Sequence, residues 1–319
     1  MPSPAPSPRD QRRAAAAYAV ARMHFEDGLS QADIAARLSV SASTVSRLLS
    51  EARESGIVRF ELRAPMPESA LGEELAVALA LRRVVVAPGD GDSRAAIIPA
   101  TLDELADLAL APGQVLALGW GRALWEVSGS RHRALTGVHV VPAVGGMEET
   151  EPPFQGNEIV RRAAEHGGAV AHLLHAPAMP NATLRRALLD DPAIEAVLGL
   201  WGRLDAAIVG IGVPPGQPGS FLPSYVTSIA ARRALRTAAG DIATRYFDLA
   251  GTPVTYPGEE RLLAVSREQL QAAGTVIGVA AGAEKVRPIV AAGRARMLNV
   301  LVTDAATAAA ALELAQATA

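Results

Sequence analysis

The sequence has no cysteine among its 319 residues. This lack excludes a disulfide framework, a zinc site built on cysteine and a cysteine nucleophile. The sequence also has no run of the about 18 apolar residues that a membrane-spanning helix needs. Its first residues, MPSPAPSPRD, lack the basic and then apolar layout of a signal peptide. We therefore expect a cytoplasmic protein that does not contact a membrane.

Lysine is almost absent. Of the 30 basic residues only Lys285 is a lysine, and all the others are arginines. A genome that favours arginine codons explains this excess, and the single lysine raises the question of whether position 285 requires an amine. The net charge is −3, although residues 1–63 hold nine arginines against seven acidic residues. This asymmetry alone is too small to establish nucleic-acid binding.

Composition divides the chain into a small N-terminal part and a large C-terminal part. Residues 1–10 form a Pro/Ser tail that we expect to be disordered. The first domain, residues 11–63, is predicted to be helical up to residue 54, with a strand-like run at 57–62. Prolines then break the pattern, so we predict a linker at 64–67 and a second domain over 68–319.

Short apolar runs alternate with helical stretches from about residue 83 onward. The runs are 84–86, 115–118, 138–141, 169–174, 206–211, 275–279 and 298–303, and helical stretches include 93–110, 157–167, 224–238 and 304–317. Runs that are apolar on both faces are typical of buried parallel strands. We predict an α/β fold: an N-terminal all-α head joined to a larger, Rossmann-like open sheet with helices on both faces.

Two short helices joined by a tight turn are predicted within the head. Ser30 and Asp33 have the spacing of a capping box at the start of the first helix, and Ile34, Ala35 and Leu38 share one of its faces. Residues 39–41, Ser-Val-Ser, then interrupt the helical pattern.

The second of these helices has two distinct faces. Val45, Leu48 and Leu49 form its buried side, and Ser43, Thr44 and Arg47 lie on the other. Small residues allow a helix to approach the DNA major groove, hydroxyls bond phosphates or base edges, and arginine bonds guanine. From spacing alone, an ordinary helical hairpin in a small bundle is an equal alternative.

The sequence itself favours the DNA-binding interpretation. Residues 28–49, GLSQADIAARLSVSASTVSRLL, resemble the helix-turn-helix of bacterial SorC-family transcriptional regulators, and residues 51–58, EARESGIV, resemble the exit from its recognition helix. The resemblance implies that the DNA-contacting residues are Gln31, Ser41, Ser43, Thr44, Ser46 and Arg47. Many members carry arginine where this chain has Ala42, so the resemblance does not imply an operator sequence.

Three glycine-bearing segments follow predicted strands in the second domain. They are Gly-Trp-Gly-Arg at 119–122, the strand end at 140–146, and residues 276–285, which end on Lys285. Glycines at a strand-to-helix turn let backbone N–H groups face an anion, although a tight turn that binds nothing is the alternative. Lys285 can pair with a phosphate or bond sugar hydroxyls, and a desolvated lysine can form a Schiff base with an open-chain aldehyde.

These segments also resemble the effector-binding domain of SorC-type regulators. Further matching pieces are 155–157, 209–212, 240–251 and 301–304. The family's domain is similar in fold to sugar-phosphate isomerases and deaminases, which implies a sugar or sugar-phosphate effector in a cleft over the sheet. By this resemblance the effector-binding residues are Gly119, Trp120, Gly121, Arg122, Gly145, Gly146, Gln155, Asn157, Asp248 and Lys285.

Two departures from the family pattern concern the effector. Many relatives have threonine where Ala123 stands, and one branch has arginine where Val144 stands. Without these donors, we expect a small monophosphate or a neutral polyol rather than a bisphosphate.

Two of the candidate residues have ordinary structural alternatives. Asp248 is predicted to accept hydrogen bonds from sugar hydroxyls, but a turn aspartate is the alternative. Trp120 either stacks on a sugar or fills space under a helix.

His172 and His175 are three residues apart in a predicted strand, so they point to opposite faces, and we predict no metal site. We also predict no cofactor.

The pattern as a whole predicts a DNA-binding transcriptional regulator of carbohydrate metabolism genes that responds to a sugar or sugar phosphate. We expect it to bind double-stranded operator DNA as a homodimer or homotetramer. One alternative is a sugar-phosphate isomerase or deaminase, for which only Asp248 and Lys285 are candidate catalytic groups. A constitutive DNA-binding protein whose large domain only oligomerises is another.

Overall fold

The computed structural model describes residues 8–58, 67–88, 93–132, 134–149, 151–218, 220, 226 and 228–318. The chain divides into two compact units, Met1–Pro65 and Met66–Ala319. Within the described residues, no helix combines the length and the apolar character that crossing a bilayer requires.

The first unit contains three helices: α1 (Pro8–Phe25), α2 (Gln31–Leu38) and α3 (Ala42–Glu54). Its core consists of small and branched side chains from all three, namely Ala17, Val20, Ala21, Ile34, Ala35, Val45, Leu49 and Ala52. Leu38 shares a predicted face with Ile34 and Ala35 but is 39% exposed, because α2 ends there and the chain turns away.

The two ends of the first unit differ in part from the predicted tail and strand. Residues 8–10 of the predicted disordered tail are the first residues of α1, while residues 1–7 lie outside the described part. Of the strand-like run at 57–62, Ile57 and Val58 form a bend after α3, and the rest lies outside the described residues, as do residues 64–66 of the predicted linker.

The second unit is built on one seven-stranded sheet. Its strands are β1 (Arg83–Ala87), β2 (Val115–Leu118), β3 (His139–Pro142), β4 (Val170–Ala171), β5 (Ala206–Gly210), β9 (Thr275–Val279) and β10 (Val300–Asp304), in the order β1-β10-β9-β5-β2-β3-β4. Every pairing is parallel. The predicted open α/β sheet is therefore confirmed. The predicted run at 169–174 is a strand only at Val170–Ala171, where it forms the sheet edge.

Helices cover both faces of this sheet. They are α4 (Glu68–Ala78), α5 (Ser93–Asp107), α6 (Arg122–Gly129), α7 (Gly156–Gly167), α8 (Ala182–Leu189), α9 (Pro192–Trp201), α10 (Ile229–Ala234), α11 (Arg267–Ala272), α12 (Val286–Arg294) and α13 (Ala305–Ala317). Successive residues of β2 belong alternately to two apolar cores: Val115 and Ala117 pack on one side, and Leu116 and Leu118 on the other. This two-sided burial explains why the strands are continuous apolar runs.

A small antiparallel sheet lies in the same unit. Its strands are β6 (Gly240–Ile242), β7 (Arg245–Phe247) and β8 (Pro253–Val254). The sequence did not predict these two- and three-residue strands. The helix predicted over 224–238 is α10 followed by a 3₁₀ turn at Leu235–Thr237, and residues 224, 225 and 227 lie outside the described part.

Candidate functional site

Two places in the described part of the chain have the geometry of a binding site: the α2–α3 pair in the first unit and a cavity in the second. In the first, Ser30 caps α2, since its Oγ accepts from the Asp33 amide at 3.2 Å and Asp33 bonds back to the Ser30 amide and hydroxyl. Ser39 then takes the left-handed conformation, with φ of 53°. This residue ends α2 and turns the chain into α3.

Hydroxyl groups cluster at the beginning of α3. The Ser41 Oγ accepts from the Thr44 amide at 3.2 Å and lies 2.8 Å from the Ser43 Oγ and 2.9 Å from the Thr44 Oγ1. Ser41 is thus the N-cap of α3 as well as a predicted DNA contact. The cluster presents hydroxyls at a helix N-terminus, where backbone N–H groups also favour a phosphate.

The remaining predicted DNA contacts are available to a partner. Gln31, Ser43, Ser46 and Arg47 are exposed, and Thr44 is half-buried. The opposite side of α3 is held by buried Val45 and Leu49, and an Arg13–Glu51 ion pair of 2.7 Å joins it to α1. A supported helix with an exposed polar face is the arrangement that reads a major groove.

The second site is a cavity of about 410 Å³ at the carboxyl ends of the parallel strands. It opens between β2 and β5, where the strand order changes direction: β2 leads to β3 on one side, and β5 leads to β9 on the other. Ligands of open α/β sheets bind at such a switch point. The cavity lies wholly within the second unit.

The loop after β2 forms one wall of the cavity. The Gly119 amide donates to the Ile208 carbonyl of β5 at 2.8 Å. Gly121 is the N-cap of α6, and its φ of 128° is a backbone conformation that glycine adopts far more readily than other residues. Trp120 packs edge-on against Phe154, with 5.6 Å between the ring centroids. The Arg122 Cζ lies 5.7 Å from the centroid of the Phe154 ring. Four predicted effector residues, at 119–122, therefore line the cavity.

The small sheet supplies Asp241, which lines the cavity together with Glu284. Asp241 is 8% exposed, and its Oδ2 accepts from the Thr244 amide at 3.2 Å. Its backbone pairs with Gly212, and a Cβ at position 212 would overlap the Asp241 carboxylate. Burial raises the pKa of Asp241 to about 6, against the opposing effect of the Lys285 charge. This carboxyl exchanges its proton near neutral pH.

Lys285 lies in the same cavity wall. It ends the 3₁₀ turn Ala283–Lys285, directly before α12, and its Nζ donates to the Ile211 carbonyl at 2.9 Å. Burial lowers the pKa of Lys285, although the charges of Asp241 and Glu284 oppose this shift. The cavity thus combines a buried acid, a half-buried amine and an aromatic wall.

The turn that carries Lys285 is hydrogen-bonded to the beginning of α13. The Gly282 amide donates to the Thr307 Oγ1 at 2.8 Å and to the Asp304 Oδ2 at 3.2 Å. Asp304 also caps α13 by accepting from the Thr307 amide at 2.9 Å, and its Oδ2 bonds the Thr307 hydroxyl. Lys285 is therefore held on a loop with little freedom.

Five predicted effector residues do not line the cavity. Gly145 and Gly146 bond Leu263 and Ala176 through their backbones, and a Cβ at Gly145 would lie 2.8–3.0 Å from backbone atoms of residues 176 and 178. The remaining three, Gln155, Asn157 and Asp248, bond backbone groups outside the cavity.

Those three side chains each stabilise a loop. Gln155 donates to the carbonyls of Met147 and Glu149. Asn157 forms two bonds with the Leu174 backbone, at 3.0 and 2.9 Å. Asp248 accepts from the amides of residues 250 and 252, each at 2.9 Å, in the turn before β8. Asp248 is thus placed as a turn aspartate, the alternative that its sequence left open.

Several cavity residues were not predicted. The most informative are Asp241, Thr244, Tyr246 and Arg94. Asp241 belongs to the same family-like segment, 240–251, as Asp248, so the sequence pointed to the segment but not to the aspartate that lines the cavity. Two positions depart from the family pattern of effector residues. Ala123 lines the cavity, whereas Val144 is 2% exposed and does not line it.

The two histidines do not lie as predicted. β4 ends at Ala171, so His172 and His175 lie after the strand. The alternation of side chains along a strand, on which the prediction was based, therefore does not apply to them. His172 stacks on His139, with 2.8 Å between its Nε2 and the His139 Nδ1, and His175 is exposed. In the described part of the chain, no group of three or more potential ligands has the arrangement of a metal site.

Comparisons with known proteins match both units. Residues 66–313 match the family described as "Putative sugar-binding domain", and residues 7–59 match a helix-turn-helix family described as "Homeodomain-like domain". The sorbitol operon regulator of Klebsiella pneumoniae is 30% identical over 298 residues, which cover 91% of this chain and 95% of the relative. The deoxyribonucleoside regulator of Bacillus subtilis (strain 168) is 26% identical over 308 residues, 94% of this chain and 97% of the relative.

A solved structure extends the match to three dimensions. The crystal structure of the full-length sorbitol operon regulator SorC from Klebsiella pneumoniae superposes with a TM-score of 0.69 at 29% identity. The superposition covers 94% of this chain and 99% of that one. The likeness therefore includes both the helical unit and the α/β unit.

Proposed function

Since this chain belongs to the SorC family of sugar-responsive transcriptional regulators, we propose that a sugar or sugar phosphate binds in the cavity between β2 and β5 and thereby controls operator binding by α3. The relatives named above are regulators rather than enzymes, so the isomerase or deaminase alternative is set aside. The observation that carries the proposal is the cavity itself, which brings Asp241 and Lys285 together at the switch point of the sheet.

The chemistry of the cavity suits a polyhydroxylated ligand. A volume of about 410 Å³ falls within the about 300–1,000 Å³ of small-molecule sites. The Asp241 carboxylate accepts hydrogen bonds from sugar hydroxyls, and the half-buried Trp120 offers a ring for the apolar face of a sugar. Arg122 and Lys285 supply positive charge beside the N-terminus of α6, where a phosphate group would be favoured.

We propose that the exposed face of α3 enters the major groove of the operator. Arg47 has the length and the fork of donors to bond a guanine edge, and Ser43 lies one helical turn before it. Ser41, Thr44 and Gln31 are assigned to phosphates near the N-termini of the two helices. Ser46 is also exposed and lies at the border between this face and the buried side of α3.

We also propose that the regulator is a homodimer or homotetramer. One helix-turn-helix contacts few base pairs, and two linked heads raise both affinity and specificity on a two-fold operator. The effector then acts by binding one arrangement of the heads more tightly than another, which shifts the population of the DNA-binding form. A DNA-binding role implies a cytoplasmic location.

A two-part experiment tests the proposal. First, the full-length protein selects its operator from a random duplex library, with Arg47→Ala as the matched variant. Second, a panel of sugars, polyols and their phosphates is screened for thermal stabilisation, and each stabilising compound is tested for its effect on the operator complex. We expect at least one compound that both stabilises the protein and changes operator affinity. Selective DNA binding that no stabilising compound alters would contradict effector control.

A further inference from the structure

The exposed side of α1 lacks the charged residues that usually cover a helix in water. Residues 14–21 of this helix read AAAAYAVA. Ala17, Val20 and Ala21 belong to the core of the first unit, whereas the other five residues of the stretch are exposed. A helix that is apolar on all sides is normally buried on all sides. The exposed side of α1 therefore has the character of a surface that another helix covers.

A seam of four residues runs along this exposed side, namely Ala15, Tyr18, Arg22 and Phe25. They are spaced by three, four and three residues, and all are exposed. This alternation keeps the residues of a seam in line along the contact between two α-helices. Tyr18 is 56% exposed and Phe25 is 40% exposed, and aromatic side chains are enriched in the interfaces between proteins. The seam is thus built like one half of a helix–helix contact.

Contacts within the first unit leave the seam accessible. The Arg22 Nε lies 3.7 Å from the Glu26 Oε2, and the Arg53 Cζ lies 6.0 Å from the centroid of the Phe25 ring. Both Arg22 and Phe25 nevertheless remain exposed. The DNA contacts proposed above lie on α2 and α3 or cap α3, so a partner on the seam of α1 does not compete with the operator for the same residues.

The seam is complementary to itself when two copies of α1 run antiparallel. A pair centred on Val20 places Phe25 of one copy opposite Ala15 of the other, so that a large side chain meets a small one. The same pair places Tyr18 opposite the second copy's Arg22, and a guanidinium over an aromatic ring is a favourable contact. Every residue of the seam then has a partner of matching size or charge.

Charge at the two ends of α1 favours this direction of pairing. The sequence has two arginines at positions 12 and 13, near the beginning of the helix, and Glu26 and Asp27 directly after its end. In an antiparallel pair, the basic end of each helix lies beside the acidic end of the other, whereas a parallel pair places like charges side by side. Antiparallel helices related by a two-fold axis are also the arrangement that an isologous contact between identical chains requires.

We propose that the seam of α1 binds the same seam of a second copy of this chain as an antiparallel helix pair. This proposal rests on the assembly proposed above and assigns a surface to it, on the DNA-binding unit itself. Two first units joined in this way present two copies of α3 related by a two-fold axis, which is the symmetry of an operator with two half-sites.

Site-specific cross-linking tests the pairing, because the chain has no cysteine of its own. Ala19 lies one helical turn after Ala15, beside the seam and next to the centre of the pair, so Ala19→Cys places two thiols near the two-fold axis. Ala16 is also exposed but is turned by about 160° from Tyr18 around the helix, so Ala16→Cys is the matched control. Both full-length variants are treated with a short bis-maleimide at low protein concentration, and cross-linked dimers are measured by denaturing electrophoresis.

We expect cross-linked dimers of Ala19→Cys and few of Ala16→Cys. Adding Tyr18→Arg to the Ala19→Cys variant replaces the contact with Arg22 by two like charges, and it should lower the yield of dimers about tenfold. Equal cross-linking of the two cysteine variants indicates random collision and overturns the pairing. An unchanged yield with Tyr18→Arg overturns it as well.

Operator binding by the same variants separates this proposal from the proposed function. If Ala19→Cys binds its selected operator but forms no cross-linked dimer, the pairing through α1 is overturned while the regulator stands. If it forms the dimer but selects no duplex, the pairing stands and the DNA-binding role fails. A thiol at position 19 that neither cross-links nor reacts with a monofunctional maleimide shows that another surface covers this side of α1, which also overturns the pairing.

Discussion

Replacing Asp241 by asparagine should stabilise the sugar-free protein and weaken its binding of sugar. Burial raises the pKa of Asp241 from 3.8 to about 6. In this interval the folded protein binds the proton and the unfolded chain does not, so the contribution of Asp241 to stability falls as the pH rises from about 4 to about 6. A shift of about two pKa units corresponds to about 3 kcal/mol above pH 6, at 1.36 kcal/mol per unit.

An asparagine at position 241 has no such pH dependence and still accepts from the Thr244 amide. The free energy of unfolding of Asp241→Asn relative to the wild type should therefore rise with pH. About 2 kcal/mol of the difference should develop between pH 4.5 and pH 7.5, or about 4–8 °C in the melting temperature of a unit of this size. The measurement is thermal unfolding of both proteins, without sugar, across this range.

Asp248→Asn is the matched control, because Asp248 lies outside the cavity and its Oδ1 acceptor is preserved in asparagine. It should retain sugar-induced stabilisation, whereas Asp241→Asn should lose most of it. If the stability difference between Asp241→Asn and wild type is the same at pH 4.5 and 7.5, the carboxyl is not held protonated by burial. If Asp248→Asn loses sugar binding instead, the sugar is bound elsewhere.

Three further substitutions test the two sites. Arg47→Ala should weaken specific operator binding by about 1–3 kcal/mol if Arg47 bonds a guanine edge, and an unchanged gel-shift affinity would refute that contact. Lys285→Ala should abolish the change in operator affinity on adding sugar, and a normal response would make the lysine structural. Ser41→Ala should destabilise α3 by about 0.5–2 kcal/mol through loss of its cap, measured by the melting of the first unit, whereas Ser43→Ala, which leaves the cap intact, should not.

The sequence predicted the central sheet well, because its strands carry their own signal. Residues 115–118 and 206–210 are apolar on both faces, and burial on both faces requires such runs. The edge strand β4 has only two exposed residues, so its boundary depends on pairing with β3 rather than on its own pattern. The strands of the small sheet are too short to show an alternation, and none was predicted.

The candidate site was predicted only where local sequence determines position. Gly119–Arg122 follows β2 directly, so its place at the sheet edge follows from the strand. Gly145 and Gly146 also follow a strand, but β3 lies one strand away from the switch point, and Leu263 and Ala176 cover its end. The choice between Asp241 and Asp248 depends on the backbone pairing of residue 241 with Gly212, a contact between distant segments that no local pattern encodes.

The pairing of Gly212 with Asp241 links the identities of two positions that are 29 residues apart in the chain. Because any side chain at 212 would occupy the space of the Asp241 carboxylate, position 212 is restricted to glycine for as long as the acid is present. In chains with a small residue at position 241, position 212 has room for a side chain. Residues 212 and 241 should therefore covary among homologous sequences, with a side chain at 212 found only where residue 241 is small.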